Sequence, residues 1–268
     1  MALPGCEVLI DLAQPVVLAI EQHFAGEQPR HFDAPAASSQ PYAMPGFSGA
    51  VRSGASCNCS VITLIPHCNG THTECVGHLT AEALAAQAVI PFGLIPAVLL
   101  SVPSLEATST SESTTPKPQE GDRLITRRAL QAAWPAALPF TPRAAIIRTL
   151  PNGQDKLTRD YSAETPPYLS REAAEWLVSV GIEHLVVDVP SLDRSHDEGR
   201  LTGHRVFFGL PPGSQQLAAA RRPQATVTEL AFVPDAISDG PCLLELQSPA
   251  LAGDAVPSRP LLYRLCSA

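Results

Sequence analysis

The sequence predicts a compact α/β domain built on a mixed or antiparallel sheet, and three observations carry that prediction. Short apolar strand patterns alternate with short helical patterns. Many of the strand patterns follow one another directly. The 27 prolines favour stiff turns and edge strands over long helices. At 268 residues the chain can bury one sizeable core, and it is read as one domain over 1–268.

CNCSVITLIP (57–66) alternates and ends in a β-branched run, the pattern of a strand entering the core. TAEALAAQAV (80–89) reads as a short helix capped by Thr80, and PAVLLSV (96–102) as a buried strand. Residues 104–122, SLEATSTSESTTPKPQEGD, are polar and low in complexity and read as an exposed loop. ITRRALQAAW (125–134) reads as a helix and RAAIIRTL (143–150) as a strand. Ser170 caps REAAEWLVSVG, in which Ala173, Trp176, Leu177 and Val180 stand at helical spacing before Gly181. HLVVDVP (184–190) is a second buried strand, ending in PSLDRSHDEG. TGHRVFFG (202–209), TVTELAFVP (226–234) and CLLELQ (242–247) read as further strands, with the polar insert 210–224 between the first two.

Composition narrows the function. The 45% hydrophobic and 16% charged content is that of an ordinary globular protein, and the formal charge of −8 argues against nucleic-acid or anionic-membrane binding. No apolar run reaches the roughly 18 residues of a bilayer span. The start, MALPGCEVLIDLAQP, has no basic segment, so a signal peptide is not expected. Seven scattered cysteines fit free thiols or metal ligation in a reducing cytoplasm better than a disulfide framework.

One stretch concentrates chemistry. HCNGTHTECVGH (67–78) sets Cys68, His72, Glu74 and His78 close together, with Asn69–Gly70 allowing a bend. Imidazole, thiolate and carboxylate are the usual ligands of zinc and its neighbours. In an extended segment His72 and Glu74 point to the same side. His67 is an alternative donor to Cys68, although successive strand residues face opposite ways. Cys75 with His78 as base offers a nucleophile reading instead. Cys57 and Cys59 form a C-x-C without a second pair, and Asp188 and Asp193 read first as turn-formers.

The stretch resembles the signature of the cyclase family of metal-dependent hydrolases, which includes kynurenine formamidase and isatin hydrolase: His-x-Gly-Thr-His-x-Asp-x-Pro-x-His. Gly70, Thr71, His72 and His78 match, Glu74 replaces the Asp, Cys68 the first His and Val76 the Pro. VLIDLAQP, GIEHLVVDVPSLDR, GHRVFFG, TVTELAFVP and PSRPLLY resemble other family segments in the same order. The resemblance implies the swivelling β/β/α fold and a homodimer. It implies one metal on Cys68, His72 and Glu74, a second on Glu74, His204 and Glu229, and His78 as general acid/base. His196 and Glu245 are the rivals of His204 and Glu229. The implied cofactor is one or two divalent ions, Zn²⁺ or Mn²⁺. The implied reaction is hydrolysis of an amide, lactam or lactone of a small cyclic or aromatic molecule, with arylformamidase chemistry as the named case. Phe32, Tyr42 and Phe47 are the expected substrate contacts. A non-catalytic metal-binding relative is the remaining alternative.

Overall fold

The computed structural model describes the backbone of residues 2–3 and all of 6–266. Its centre is one ten-stranded sheet. In chain order the strands are β1 (Leu9–Ile10), β2 (Val16–Val17), β3 (His72–Cys75), β4 (Ile95–Pro103), β5 (Ala144–Leu150), β6 (His184–Val187), β7 (Thr226–Glu229), β8 (Gly240–Gln247), β9 (Ala255–Pro257) and β10 (Arg259–Cys266). Across the sheet they run β9-β3-β7-β6-β5-β4-β8-β10-β1, with β2 also on β10. The β4-β5, β5-β6 and β6-β7 pairs are parallel, and every other pair is antiparallel. The sheet is therefore mixed, as the sequence predicts. Within its parallel centre β4, β5 and β6 are near-continuous apolar runs because both faces are covered.

Three helices cover one face: α1 (Arg127–Ala133), α2 (Arg171–Ser179) and α3 (Thr202–Phe208). Thr126 accepts the Ala129 amide at 3.1 Å and Ser170 the Ala173 amide at 3.0 Å, satisfying first-turn donors that have no partner inside the helix. Leu130, Leu177, Phe207 and Phe208 pack there with Leu100, Ile147, Leu185 and Val187. On the other face Leu99, Ile146, Val186, Leu244 and Leu262 form a second cluster.

Four segments differ from the sequence reading. TGHRVFFG is helical, because the Asp193 carboxylate accepts the amides of Gly203 (2.6 Å) and His204 (3.1 Å) and Gly209 closes the far end at positive φ. Residues 80–89 form only a 3₁₀ turn, Ala86–Ala88. The Ala81 and Ala86 amides donate instead to Gln215 and Gly253, and the Thr80 hydroxyl to the Glu82 carbonyl. Within 57–66 only Ser60–Thr63 is a strand, and it is exposed, pairing with Ser38–Pro41 outside the main sheet. Residues 104–122 are anchored as well as polar. Glu112 accepts the Arg127 and Arg128 amides and the Ser170 hydroxyl, and Leu105–Glu106 pairs with Arg123–Ile125.

The core also holds a histidine remote from the motif. His184 on β6 is buried, bonded to Thr226 Oγ1 at 2.9 Å, and burial pulls its pKa down to about 4. Its unfolded value near 6.5 is higher, so the unfolded chain binds the proton first and stability falls as pH drops from about 6.5 to 4. The full effect is about 3 kcal/mol. Urea unfolding of the native protein and His184→Gln at pH 7.5 and pH 4 checks this, and the variant should lose the larger part of the difference.

Candidate metal centre

β3 and β7 place the motif's donors by simple register. Glu229 lies opposite His72 and Val227 opposite Glu74, so His72, Glu74 and Glu229 share the face that α3 covers. The other face carries Thr73, bonded to Thr228 at 2.7 Å and Ser258 at 2.8 Å. Gly70 turns the chain into β3 at φ +126, where a Cβ would also meet Gln22 Oε1 at 2.7 Å. α3 then delivers His204 from the side. His204 Nε2 stands 2.9 Å from Glu74 Oε1 and 3.3 Å from Glu229 Oε1, and His72 Nε2 stands 3.4 Å from Glu229 Oε2. All four residues are buried.

The far side of each imidazole is fixed. His204 Nδ1 donates to Asp193 at 2.7 Å, and His72 Nδ1 to the Gly70 carbonyl at 3.0 Å. Each Nε2 is thereby the ring nitrogen aimed at the carboxylate oxygens and the one that a metal would take once its proton is displaced. No aligned hydrogen bond serves His72 Nε2, His204 Nε2 or either Glu74 oxygen despite full burial, and each meets only imidazole–carboxylate contacts of 2.9–3.4 Å. A divalent cation among them would satisfy all four atoms, so the donor set fits one.

The electrostatics point the same way. Burial alone would raise the Glu74 carboxyl, but the charges of His204 and His78 and the close contacts of His204 and His67 hold it well below the usual range. Burial and Glu74 push the Glu229 carboxyl up, and the close contacts of His204 and His72 outweigh them. Burial opposes charge on His204, yet Glu74 and Asp193 hold its pKa well above normal. Two buried carboxylates thus require positive charge between them.

Two donor groups have ligand atoms all within 4.8 Å of one another and share Glu74: Glu74, His204 and Glu229, and His67, His72 and Glu74. Cys68, the residue taken from sequence as the third donor beside His72, stands in neither. Residues 65–69 form a turn, with the Cys68 and Asn69 amides bonded to the Ile65 carbonyl, so strand alternation does not apply and His67 swings inward. Burial and Glu229 raise the Cys68 thiol, which lines the cavity above the donors. A third group, His67, His78 and Asp254, adjoins these two.

The Cyclase family model matches residues 10–194, well over half the chain. The chain belongs to the Cyclase family. No curated protein matches it. A structure named as a potential metal-dependent hydrolase with cyclase activity superposes at TM-score 0.61 with 15% identity, covering 93% of this chain and 97% of that one. A predicted metal-dependent hydrolase from Bacillus stearothermophilus gives 0.56, 16%, 93% and 98%. Isatin hydrolase A from Labrenzia aggregata, bound to benzyl benzoate, gives 0.57, 13%, 93% and 93%. At these identities the likeness is one of fold. The Cyclase match takes in His72, Glu74 and His78 and ends before His204 and Glu229, so those two rest on geometry.

Geometry also separates the rivals within this Cyclase chain. Glu245 is bonded to Tyr263 on β10. His196 sits at the cavity wall, its ring 5.8 Å from that of Phe32. Cys75 points to the opposite face of β3, buried with its thiol near the Leu84 carbonyl and its pKa pushed up to about 11, which does not suit a nucleophile. His78 follows on a 3₁₀ turn (Val76–Leu79) and borders a cavity of about 810 Å³ floored by Glu74, His204 and Glu229. Phe32 borders the same cavity. Tyr42 and Phe47 do not. They belong to a small β-arm whose paired strands, 38–41 with 60–63 and 43–44 with 47–48, lie off the main sheet. His31, Asp193 and Asp254 are site neighbours the sequence reading did not assign, and only Asp193, in the DVPSLD turn, carried any local signal.

Proposed function

We propose that the chain is a metal-dependent hydrolase opening an amide, lactam or lactone bond of a small cyclic or aromatic molecule, with arylformamidase-like chemistry as one form. The observation that carries this is the buried set of unpartnered donors on His72, Glu74 and His204 beside Glu229, open to a cavity. The solved neighbours named as isatin hydrolases favour a cyclic amide within that set.

Glu74, His204 and Glu229 would hold one divalent ion, and Glu74 with His72 would contribute to holding a second. Zn²⁺ suits the imidazole donors best, with Mn²⁺ the alternative for the carboxylates. Such ions supply Lewis-acid polarisation of a carbonyl and a water acidified toward pH 7. Asp193 keeps His204 in the ligating tautomer. His78, at the cavity edge, moves a proton to the leaving group, and Phe32 and His196 offer ring faces to a planar substrate. The reading includes a cytoplasmic homodimer, supported by the apolar surface of the arm, where Tyr42, Met44, Val61 and Ile62 are exposed. Among the described residues no helix is long and apolar enough to cross a membrane.

Exhaustive chelation should abolish hydrolysis of a lactam or aryl-formamide panel, and added Zn²⁺ or Mn²⁺ should restore it. His78→Ala should keep its metal and lose about 10²–10⁴-fold in kcat. Full activity in that variant would remove His78 from the proton-transfer role.

A further inference from the structure

The third donor beside His72 and Glu74 and the hydrogen-bond partner of His78 meet at a residue outside the motif. His67 Nδ1 lies 3.0 Å from Glu74 Oε2, and its Nε2 lies 2.9 Å from Asp254 Oδ2. The same Asp254 oxygen lies 3.4 Å from His78 Nδ1. The two rings lie 4.2 Å apart between centroids with their planes tilted by 33°, and the His67 ring meets that of His72 edge-on at 5.4 Å. Asp254 directly precedes β9, whose pairing with β3 brings it alongside the motif, and its carbonyl accepts the Cys75 amide at 3.1 Å.

We propose that His67, not Cys68, supplies the third donor of the His72–Glu74 site, and that Asp254 is the positioning residue that holds both His67 and His78. The proposal rests on the metal-dependent reading above. With an ion on Nδ1, the single remaining ring proton of His67 sits on Nε2 and is donated to Asp254, the carboxylate–histidine–metal arrangement that orients a ligand and raises its basicity. Asp254 Oδ2 at the same time faces His78 Nδ1 at 3.4 Å, a contact that directs His78 Nε2 to be the proton-carrying nitrogen. One carboxylate would thus couple the metal ligand set to the acid/base residue.

A different chemistry would use the same atoms. A doubly protonated His67 could bridge Glu74 and Asp254 as an ion pair, with Cys68 free to ligate. The two schemes make opposite demands on three side chains. Zn²⁺ affinity measured by chelator competition, together with electronic spectra of the Co²⁺-loaded protein, tells them apart without recourse to activity. In the proposed scheme the native protein takes up two ions per chain. His67→Ala weakens one ion at least tenfold and spares the other. Asp254→Ala weakens the same ion by about 10–100-fold and shifts its Co²⁺ bands, while Asp254→Asn, which keeps an acceptor oxygen, falls between. Cys68→Ser changes nothing, and the Co²⁺ spectrum carries no thiolate charge-transfer band. Asp254 is half-exposed, so these variants should fold, and circular dichroism melting confirms it. Unchanged Zn²⁺ binding in His67→Ala, or a thiolate band that Cys68→Ser removes, overturns the assignment while leaving a metal enzyme. A native protein that takes up no metal overturns this assignment and the hydrolase reading together.

Discussion

Glu74→Gln is expected to strip both ions from the protein and to lower hydrolysis on the order of 10³-fold or more, since Lewis-acid stabilisation of several kcal/mol is lost. Glu74 is the one carboxylate common to both motif donor groups, and its two oxygens face different imidazoles, Oε1 toward His204 and Oε2 toward His67. Gln keeps the shape but replaces an anionic carboxylate oxygen with an amide NH₂, which repels a cation. Metal content by inductively coupled plasma mass spectrometry and kcat on the same preparation give the readout. A Glu74→Gln protein that retains two ions would show that the carboxylate does not bridge.

Lys156→Ala is expected to destabilise the fold by about 3–5 kcal/mol without touching the donor set. The Lys156 ammonium and the Asp188 carboxylate are both buried and lie 2.8 Å apart. Lys156 also donates to the Thr149 carbonyl at 2.6 Å and to Asn152 at 3.2 Å, and Asp188 accepts from the Thr149 amide and hydroxyl at 2.8 Å each. Asp188 thus ties the end of β6 to the end of β5, beyond the turn-forming role its sequence context suggests. Truncating the lysine leaves that carboxylate buried without its cation, and leaving a buried charge unpaired is what makes the loss large. Chemical denaturation of both proteins measures it, and a loss under 1 kcal/mol would mean that water reaches Asp188.

Much of this architecture was legible because local pattern and tertiary environment agree. RAAIIRTL and HLVVDVP are apolar along their length since both faces of the parallel centre are covered, and Thr126 and Ser170 announce α1 and α2 by their chemistry. TGHRVFFG departs from its strand-like pattern because its helix is set by Asp193, nine residues before Thr202. TAEALAAQAV has helical composition, but Gln215 and Gly253 take the amides a helix would use. The same limit applies to the centre. His72, Glu74 and His78 are local and follow from spacing and resemblance, whereas His204 and Glu229 follow from resemblance alone, because their convergence depends on the β3–β7 register and the α3 cap. Asp254 in GDAVP has no local signature, since its position depends wholly on β9 pairing with β3. The turn at residues 65–69 exchanges Cys68 for His67 by a backbone reversal that strand alternation does not describe.

The most direct test is the metal content of the purified, Zn²⁺-reconstituted protein, set beside that of His204→Ala and Glu229→Ala. The expected result is two ions per native chain, with an ion lost in each variant, because helix α3 and strand β7 would complete a site begun on β3. Native protein that binds no divalent ion yet turns over a lactam or formamide, or variants that hold metal as firmly as the native chain, would contradict it.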